Sequence, residues 1–268
     1  MHEITLTIPH FSLRDTLLCG QCFRWEENPD GSFSGFAGAH YADIRQAGSQ
    51  VLIASSQADA GFWHAYFDLD TDYEDAKRRL YRYRAMRGPI DRAGGIRLLR
   101  QDPWEALCSF IISQNNNIPR IKGIVGRLCE GFGSPVPGGF SFPAPERLAG
   151  CTADDLAPLR AGFRAKYILD AAKKVADGTI DPARIAHSST GEGEAELMQI
   201  LGVGVKVAQC ALLYGFHKLD AFPVDVWMKK SLALYFPNGF PKQAKKIQGI
   251  AQQFLFHDIR TYQEERSG

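Results

Sequence analysis

The chain has 268 residues, of which 45% are hydrophobic and 23% charged, which suits about two globular domains and excludes a largely disordered protein. No apolar run approaches the about 18 residues of a transmembrane helix, and the start MHEITLTIPH lacks the basic and apolar regions of a signal peptide. The 31 Lys and Arg residues nearly balance the 30 Asp and Glu residues, so net charge alone does not indicate a polyanionic partner.

The N-terminal part of the chain is predicted to form short antiparallel strands. Polar and apolar residues alternate over residues 3–8, 41–45 and 50–54, and turn sequences such as Asn-Pro-Asp-Gly lie between these segments. A period of two is typical of an antiparallel sheet with one buried face. We therefore expect an N-terminal antiparallel β domain over residues 1–94, with flanking helices.

The cysteines are expected to be free thiols. Only Cys19 and Cys22 form a C-x-x-C pair, in an aromatic segment with strand-like neighbours, and no second pair offers further zinc ligands. Zinc or redox chemistry at this pair is therefore the weaker hypothesis. Free thiols favour a reducing, intracellular location, which is the cytoplasm, or the nucleoid in a bacterium.

Basic residues are concentrated in two places. Nine Lys or Arg residues and one acidic residue, Asp91, lie between Lys77 and Arg100. Solvated helix faces are the simpler explanation, and a local phosphate-binding surface is the alternative. The second cluster comprises Lys229, Lys230, Lys242, Lys245 and Lys246.

From about residue 100 the apolar residues recur at helical spacing. The fold is therefore predicted to be α+β, with a mainly helical domain over residues 95–268. Residues 131–143 are rich in Gly and Pro and are predicted to be a loop between helices. The apolar stripes are Leu107, Phe110 and Ile111; Ile121, Ile124, Val125 and Leu128; and Tyr167, Ile168, Ala171, Ala172 and Val175.

Two glycines mark a tight turn between two predicted helices. Gly202-Val203-Gly204 follows one short helix and precedes another, which gives a helix–hairpin–helix over about residues 193–216. Backbone N–H groups of such a turn, at a helix N-terminus, can bind a DNA phosphate without reading the base sequence. A plain packing corner also needs glycine, so the turn by itself leaves both interpretations open.

Lys206 and Asp225 are the candidate catalytic residues. Lys206 lies in the first turn of the second helix, to one side of its apolar stripe. The helix dipole and partial burial both disfavour an ammonium there, and a neutral lysine amine is a nucleophile. Asp225 follows Pro223 and Val224 and is placed as the N-cap of the next helix. In isolation, a snorkelling lysine and a structural cap would explain both residues.

The pattern L-x-x-x-x-G-V-G-x-K-V-A, followed by P-V-D-V, resembles the signature of the helix–hairpin–helix DNA glycosylase superfamily. Within it, the chain resembles the 8-oxoguanine DNA glycosylases over nearly its whole length. The resemblance implies that Lys206 attacks the sugar C1′ as the damaged base leaves and that Asp225 supports the lysine and the oxocarbenium-like charge. The other similar segments are GQCFRW at 20–25, YFDLD at 66–70, residues 95–121 and GFRAKYI at 162–168.

The chemistry that this resemblance implies is bifunctional. An amine forms an imine with the sugar, and the imine permits β-elimination of the 3′ phosphate, so AP lyase activity accompanies base excision. No cysteine follows Cys210, whereas the iron–sulfur branch of the superfamily carries four after its aspartate. We therefore expect no iron–sulfur cluster, zinc or other cofactor, and leave open a monovalent cation on the hairpin carbonyls.

Base recognition is expected at four residues. 8-Oxoguanine carries a proton on N7 where guanine has a lone pair, so a backbone carbonyl at N7 accepts from the damaged base and repels guanine. The resemblance assigns this carbonyl to Gly20, whose alternative role is a strand bulge. It also assigns Cys210 to base recognition. Gln252 and Phe256 stand four apart on the C-terminal helix, off its core stripe, which suits base-edge bonding and stacking; a helix packed on both sides is the alternative. Phe256 aligns with the family's phenylalanine only if this chain lacks one residue just after it.

The sequence Gln114-Asn115-Asn116-Asn117 is a short polar segment between two apolar predicted helices. Asn117 and Pro119 suit a helix cap and first turn. By resemblance, Asn115 fills the gap left by the flipped base and Phe163 is a wedge beside it. Arg120 and Arg164 would bond the orphaned cytosine.

Two further positions depart from the family pattern. Leu201 replaces a usual hairpin proline, which bears on the rigidity of the hairpin. Trp227 replaces a usual histidine after P-V-D-V, which puts the phosphate contact near Asp225 in doubt.

The sequence thus predicts a monomeric bifunctional glycosylase and lyase that acts on double-stranded DNA containing 8-oxoguanine opposite cytosine, with no membrane partner. The first alternative is a glycosylase of the same fold for another lesion, such as an alkylated purine. The second is a non-catalytic DNA-binding helix–hairpin–helix protein. Lys206 together with Asp225 argues against the second alternative, because phosphate binding needs neither.

Overall fold

The N-terminal part is a five-stranded antiparallel sheet with strand order β1-β5-β4-β3-β2. The computed structural model describes the backbone of residues 1–267 and the side chains of residues 1–261. The three strands predicted from alternation are present as β1, β4 and β5. The strands are β1 His2–Thr7, β2 Trp25–Glu27, β3 Phe33–Ala37, β4 His40–Ala47 and β5 Gln50–Ser55.

The sheet buries one face against two short helices, α1 (Leu13–Leu18) and α2 (Ala60–Tyr66). Along β5 the burial alternates, so that Val51 and Ile53 point into this core. Each helix starts at a capping side chain, because Ser12 accepts from the Asp15 N–H and Asp59 accepts from the Phe62 N–H. The result is a small aromatic core under the sheet.

The rest of the chain is mainly helical, as predicted, and it forms a second and larger core. A short helix over residues 145–149 and two 3-10 helices, Ala157–Leu159 and Lys242–Ile247, connect the longer elements. The helices are α3 Tyr73–Leu80, α4 Arg84–Ala93, α5 Pro103–Ser113, α6 Ile118–Phe132, α7 Pro145–Ala149, α8 Arg164–Ala176, α9 Pro182–His187, α10 Thr190–Leu197, α11 Val205–Tyr214, α12 Val226–Tyr235 and α13 Gln248–Ser267.

Two local features differ from the sequence predictions. Residues 131–143 are not wholly a loop, because Pro135–Val136 (β6) and Gly139–Phe140 (β7) form a short hairpin around Gly138, whose φ is +87°. Cys19 and Cys22 lie at the turn that ends α1 rather than in a strand, and both thiols are free and buried. Burial raises the pKa of the Cys19 thiol to about 12, so this sulfur is protonated at neutral pH.

Ion pairs occupy much of the first basic cluster. Lys77 pairs with Glu74, and Arg78 and Arg79 both pair with Asp75, all on α3. These contacts favour the simpler explanation, a set of solvated helix faces. Among the residues that the structure describes, no helix is long and apolar enough to cross a membrane.

A buried carboxylate joins the N-terminal part to the helical core. Asp68 accepts a hydrogen bond from Arg100 at 2.8 Å and from Tyr73 at 2.9 Å, and the His217 ring lies 3.1 Å away in the loop after α11. Burial alone would raise the pKa of Asp68, but the hydrogen bonds from His217 and Arg100 lower it to about 2. The carboxylate is therefore charged at neutral pH and holds the two parts together.

Candidate active site

A cavity of about 350 Å³ opens between the turn after α1, the α5–α6 loop and helices α11, α12 and α13. It brings together the six residues predicted to act in catalysis and base recognition, although they are spread over more than 230 positions of the chain. Cavities of this size are typical of small-ligand sites. The six residues are Gly20, Lys206, Cys210, Asp225, Gln252 and Phe256.

Lys206 reaches this cavity from the first turn of α11. The helix begins after Gly204, which has extended backbone angles as the N-cap. The Lys206 ammonium donates to Ser113 Oγ at 3.4 Å and lies 5.5 Å from the centre of the Phe110 ring. The side chain is half-buried. Its nitrogen is thus held by one long hydrogen bond and a ring face, an arrangement that leaves the amine available to a substrate.

Asp225 is the N-cap of α12, as predicted. Its Oδ1 accepts from the Met228 N–H at 2.8 Å, and its backbone is extended. This bond fixes the carboxylate at the cavity wall. Cys210 lies between the two catalytic candidates: burial raises the pKa of its thiol, the Lys206 charge opposes that shift and the Asp225 charge adds to it. Lys206 and Asp225 therefore act on the same small volume.

Gly20 lies in the turn between α1 and β2, not in a strand, so the strand-bulge alternative is wrong. Its φ is +87°, a conformation that disfavours any side chain. The neighbouring Gln21 is buried and fastens this turn to residues 97–101. It donates to the Arg97 carbonyl at 2.8 Å and accepts from the Leu99 N–H at 2.9 Å. The Gly20 peptide is thus held rigidly at the cavity edge.

Gln252 and Phe256 face the cavity from α13. The Gln252 amide is buried, accepts from the Tyr214 hydroxyl at 3.2 Å and donates to the Pro223 carbonyl at 3.3 Å. The Phe256 ring is partly buried. The structure therefore fixes a polar amide and an aromatic ring on one wall of the cavity, with the amide orientation set by its two partners.

The residues predicted to contact the opposite strand lie outside the cavity. Asn115, with φ +52°, is exposed in the α5–α6 loop, Arg120 is exposed on the first turn of α6, and Phe163 is 49% exposed just before α8. Asn117 caps α6 by accepting from the Arg120 N–H at 3.0 Å. Asn115 and Arg120 flank residues 116–119, which line the cavity, and Phe163 directly precedes Arg164.

Arg164 does not share the exposure of its neighbours. It is 4% exposed, and its guanidinium donates to the carbonyl oxygens of Gln114, Asn115 and Ala161. Burial and the nearby Arg120 charge lower its pKa. The sequence could not distinguish this role from a direct DNA contact, because the carbonyl partners come from a loop about 50 residues away.

The glycine turn lies on the surface near Lys206. The Val203 N–H donates to the Ile200 carbonyl at 3.0 Å, and Gly202 has φ +76°. The Val203 side chain is buried in the core, whereas Gly202 and Gly204 are exposed. The free N–H groups of the first turn of α11 therefore point out of the protein next to an exposed backbone, which suits a phosphate.

Several residues that support the candidate site were given no role in it by the sequence analysis. Ser113 and Phe110 hold Lys206, and Gln21 holds Gly20. Arg260 also lines the cavity, 5.4 Å from the centre of the Phe256 ring. Its spacing of four from Phe256 and eight from Gln252 on one helix was a usable signal. Trp227, which the sequence analysis noted as a departure from the family pattern, lines the cavity as well, with the Lys230 ammonium 4.5 Å from its ring centre.

Comparisons with known proteins agree with this geometry. Residues 3–107 match the family model described as the 8-oxoguanine DNA glycosylase N-terminal domain, and residues 108–255 match that of the HhH-GPD superfamily base excision DNA repair proteins. The chain is 38% identical over 153 residues to an N-glycosylase/DNA lyase of Saccharomyces cerevisiae, covering 51% of this chain and 40% of that protein. It is 30% identical over 275 residues to the N-glycosylase/DNA lyase OGG1 of Arabidopsis thaliana, covering 94% and 74%.

A solved structure extends the comparison to the fold. The Clostridium acetobutylicum 8-oxoguanine glycosylase/lyase, in complex with double-stranded DNA containing cytosine opposite 8-oxoguanine, superimposes with a TM-score of 0.88 at 35% identity. The match covers 95% of this chain and 93% of that one. The likeness therefore includes both the sheet part and the helical part.

Proposed function

Because the chain belongs to the N-glycosylase/DNA lyase family of HhH-GPD base excision repair proteins, we propose that it excises 8-oxoguanine opposite cytosine from duplex DNA and then cleaves the strand by β-elimination. The observation that carries the proposal is the convergence of Lys206, Asp225 and Gly20 on one cavity. Lys206 and Asp225 supply the chemistry, and Gly20 distinguishes 8-oxoguanine from guanine.

Lys206 is the nucleophile in this proposal. Its nitrogen lone pair forms a bond to the sugar C1′ while the bond from C1′ to the base breaks, and the base leaves with that electron pair and takes up a proton. Loss of the proton from the lysine nitrogen and opening of the sugar give the imine. Asp225, fixed by its capping bond to Met228, stabilises the positive charge that develops on the sugar.

The lyase step follows from the imine. A base removes a proton from C2′, the C3′–O bond breaks, and the 3′ phosphate leaves with the electron pair. A protein without a primary amine in this place could hydrolyse the bond between the sugar and the base. It could not form the imine, so it could not cleave the strand by this β-elimination. The amine is supplied by the chain itself, so we propose that the reaction uses no organic cofactor.

Base recognition involves the cavity walls. We propose that the Gly20 carbonyl accepts from N7–H of 8-oxoguanine, that the Phe256 ring stacks on the base and that Gln252 bonds its Watson–Crick edge. Cys210, at the cavity floor beside Lys206, contacts the base from the other side. The rigid fastening of the Gly20 turn by Gln21 supports this assignment, because a mobile carbonyl would turn away from guanine.

The exposed side chains near the cavity contact the opposite DNA strand in this proposal. We propose that Asn115 and Phe163 fill the gap left by the flipped nucleotide and that Arg120 bonds the orphaned cytosine. Arg164 shapes the Asn115 loop from beneath through its carbonyl bonds. Gly202 and Gly204 contact the DNA backbone through their N–H groups, whereas the Val203 N–H closes the turn on the Ile200 carbonyl. Every group needed comes from one chain, so we propose that the enzyme acts as a monomer.

Borohydride trapping tests the proposal. Reduction of the imine links the protein covalently to a duplex that carries 8-oxoguanine opposite cytosine. Lys206→Gln is expected to bind the duplex and give no covalent adduct, with Lys218→Gln as a matched control in a loop outside the cavity. A Lys206→Gln protein that still traps would place the nucleophile elsewhere. Faster release of an alkylated purine than of 8-oxoguanine would favour the same-fold alternative.

A further inference from the structure

The glycine turn has the geometry of a type II β-turn over residues 200–203. The Val203 N–H donates to the Ile200 carbonyl at 3.0 Å, and Gly202 supplies the positive φ, +76°, at the third position. Leu201 occupies the second position. Proline is common at that position because its ring fixes φ and the N–H there takes no part in the turn.

In this chain the second position keeps its N–H, and the N–H has a partner. The Leu201 N–H donates to Oδ2 of Asp170 on α8 at 2.6 Å. The Leu201 side chain is 51% exposed, so it does not anchor the turn by packing. The backbone bond to Asp170 is therefore what ties the second residue of the turn to the rest of the protein.

Asp170 is itself held in place. Its Oδ2 also accepts from the Lys174 ammonium at 2.9 Å, and Lys174 donates in addition to the Gln199 carbonyl at 2.6 Å. One turn earlier on α8, the Tyr167 ring lies so close to Gly202 that a Cβ there would come within 2.4 Å of it. Tyr167, Asp170 and Lys174 thus form a bracket on one face of α8.

We propose that Asp170 is a positioning residue for the DNA-binding turn, supplying by a charge-assisted hydrogen bond the rigidity that a proline at position 201 would supply by its ring. The inference rests on the proposed function, because it assumes that the turn binds a DNA phosphate. Lys206 lies four residues after Gly202, so the orientation of the turn also sets the direction of the nucleophile.

The bracket predicts a specific pattern of rescue. Asp170→Ala frees the Leu201 N–H and is expected to weaken binding to an undamaged duplex by about 3- to 10-fold, since a hydrogen bond to a charged group is lost. In the Asp170→Ala background, Leu201→Pro removes the unpaired N–H and fixes φ, so it should restore binding to within about twofold of wild type. A residue with a merely structural role would give additive losses instead.

The experiment measures binding to an undamaged duplex by fluorescence anisotropy, single-turnover excision of 8-oxoguanine and the melting temperature. The variants are Asp170→Ala, Leu201→Pro, their combination and Asp170→Asn, with Asp177→Ala as a control carboxylate at the end of the same helix. Asp170→Asn keeps an oxygen for the Leu201 N–H and should retain most of the binding. Because undamaged duplex is the probe, the result does not depend on which base the enzyme excises.

Unchanged binding by Asp170→Ala, or equal losses in Asp170→Ala and Asp170→Asn, would overturn the proposal, because the ion pair to Lys174 or general stability would then explain the effect. Additive losses in the double variant would also overturn it. If wild type binds no duplex DNA, the proposed function itself fails.

Discussion

The Arg164 guanidinium donates to the Asn115 carbonyl oxygen at 3.0 Å, so a residue at the start of α8 fixes the loop between α5 and α6. Asn115 has φ +52°, and the bond to its carbonyl stabilises that uncommon backbone conformation. One buried arginine therefore supports the loop from which, in the proposed function, Asn115 reaches the opposite strand.

This arrangement separates the effects of the two arginines. Arg120→Ala removes an exposed hydrogen-bond donor. We therefore expect the rate of excision opposite cytosine to fall towards the rates opposite the other bases, with an unchanged melting temperature. Arg164→Ala leaves the carbonyls of Gln114, Asn115 and Ala161 without their donors and should destabilise the fold by about 1–3 kcal/mol. Single-turnover excision opposite all four bases, together with thermal melting, measures both. Equal stability losses in the two variants would contradict the assignment.

Asp225→Asn separates catalysis from helix capping. The amide oxygen can still accept from the Met228 N–H, so the free energy of unfolding should fall by no more than about 1 kcal/mol. Turnover should fall by orders of magnitude, because the negative charge beside the sugar is gone. Asp102→Asn is the matched control, since Asp102 caps α5 in the same way and does not line the cavity. If both variants lose stability and both keep their turnover, Asp225 has only a structural role.

The base pocket predicts unequal effects for its two α13 residues. Phe256→Ala removes a stacking contact of about 1–3 kcal/mol, which corresponds to roughly a fivefold to 150-fold slower excision. Gln252→Ala should be milder, because guanine shares its contacts and the Tyr214 hydroxyl keeps a second acceptor, Gln253, at 2.6 Å. The comparison is single-turnover excision of 8-oxoguanine, guanine and an alkylated purine. A larger loss in Gln252→Ala than in Phe256→Ala would disprove this ranking.

Asp68 should make stability depend on pH. Its pKa is lowered to about 2 from 3.8, so its stabilising contribution is present above the unfolded value and is lost as the pH falls through the folded value. We expect up to about 2 kcal/mol to disappear between about pH 4 and pH 2. Asparagine tolerates the positive φ at this position. Asp68→Asn should lose that stability at pH 7, and its free energy of unfolding, measured in urea, should change less with pH below about pH 4. An exposed control, Asp154→Asn, should follow wild type.

The fold and the placement of Lys206 and Asp225 at helix starts were predictable because both depend on local patterns. Alternation located β1, β4 and β5, helical spacing located the second domain, and the turn with its lysine located the hairpin. Asp225 was predictable as a cap because an N-cap is defined by its own neighbours in sequence. The specific base and the opposite-strand roles came from resemblance, since no period encodes them.

The remaining features depend on contacts between distant segments. Whether Arg164 faces DNA or the Gln114 carbonyl depends on how α8 packs on the α5–α6 loop. The bond between Leu201 and Asp170 joins residues 31 apart, and no spacing rule connects a turn N–H to a carboxylate on another helix. Gln21 is similar, because its partners lie 76 and 78 positions away.

The Gln21 fastening has a consequence for the fidelity of repair. In the proposed mechanism, the carbonyl that distinguishes 8-oxoguanine from guanine belongs to the turn after α1, whereas the amine that attacks the sugar belongs to α11. A variant that loosens Gln21 from Leu99 would keep its nucleophile and lose its selectivity. Such an enzyme would excise intact guanine as well and would create abasic sites and strand breaks in undamaged DNA. Loosening this one contact is therefore expected to add a mutagenic activity rather than to abolish an activity.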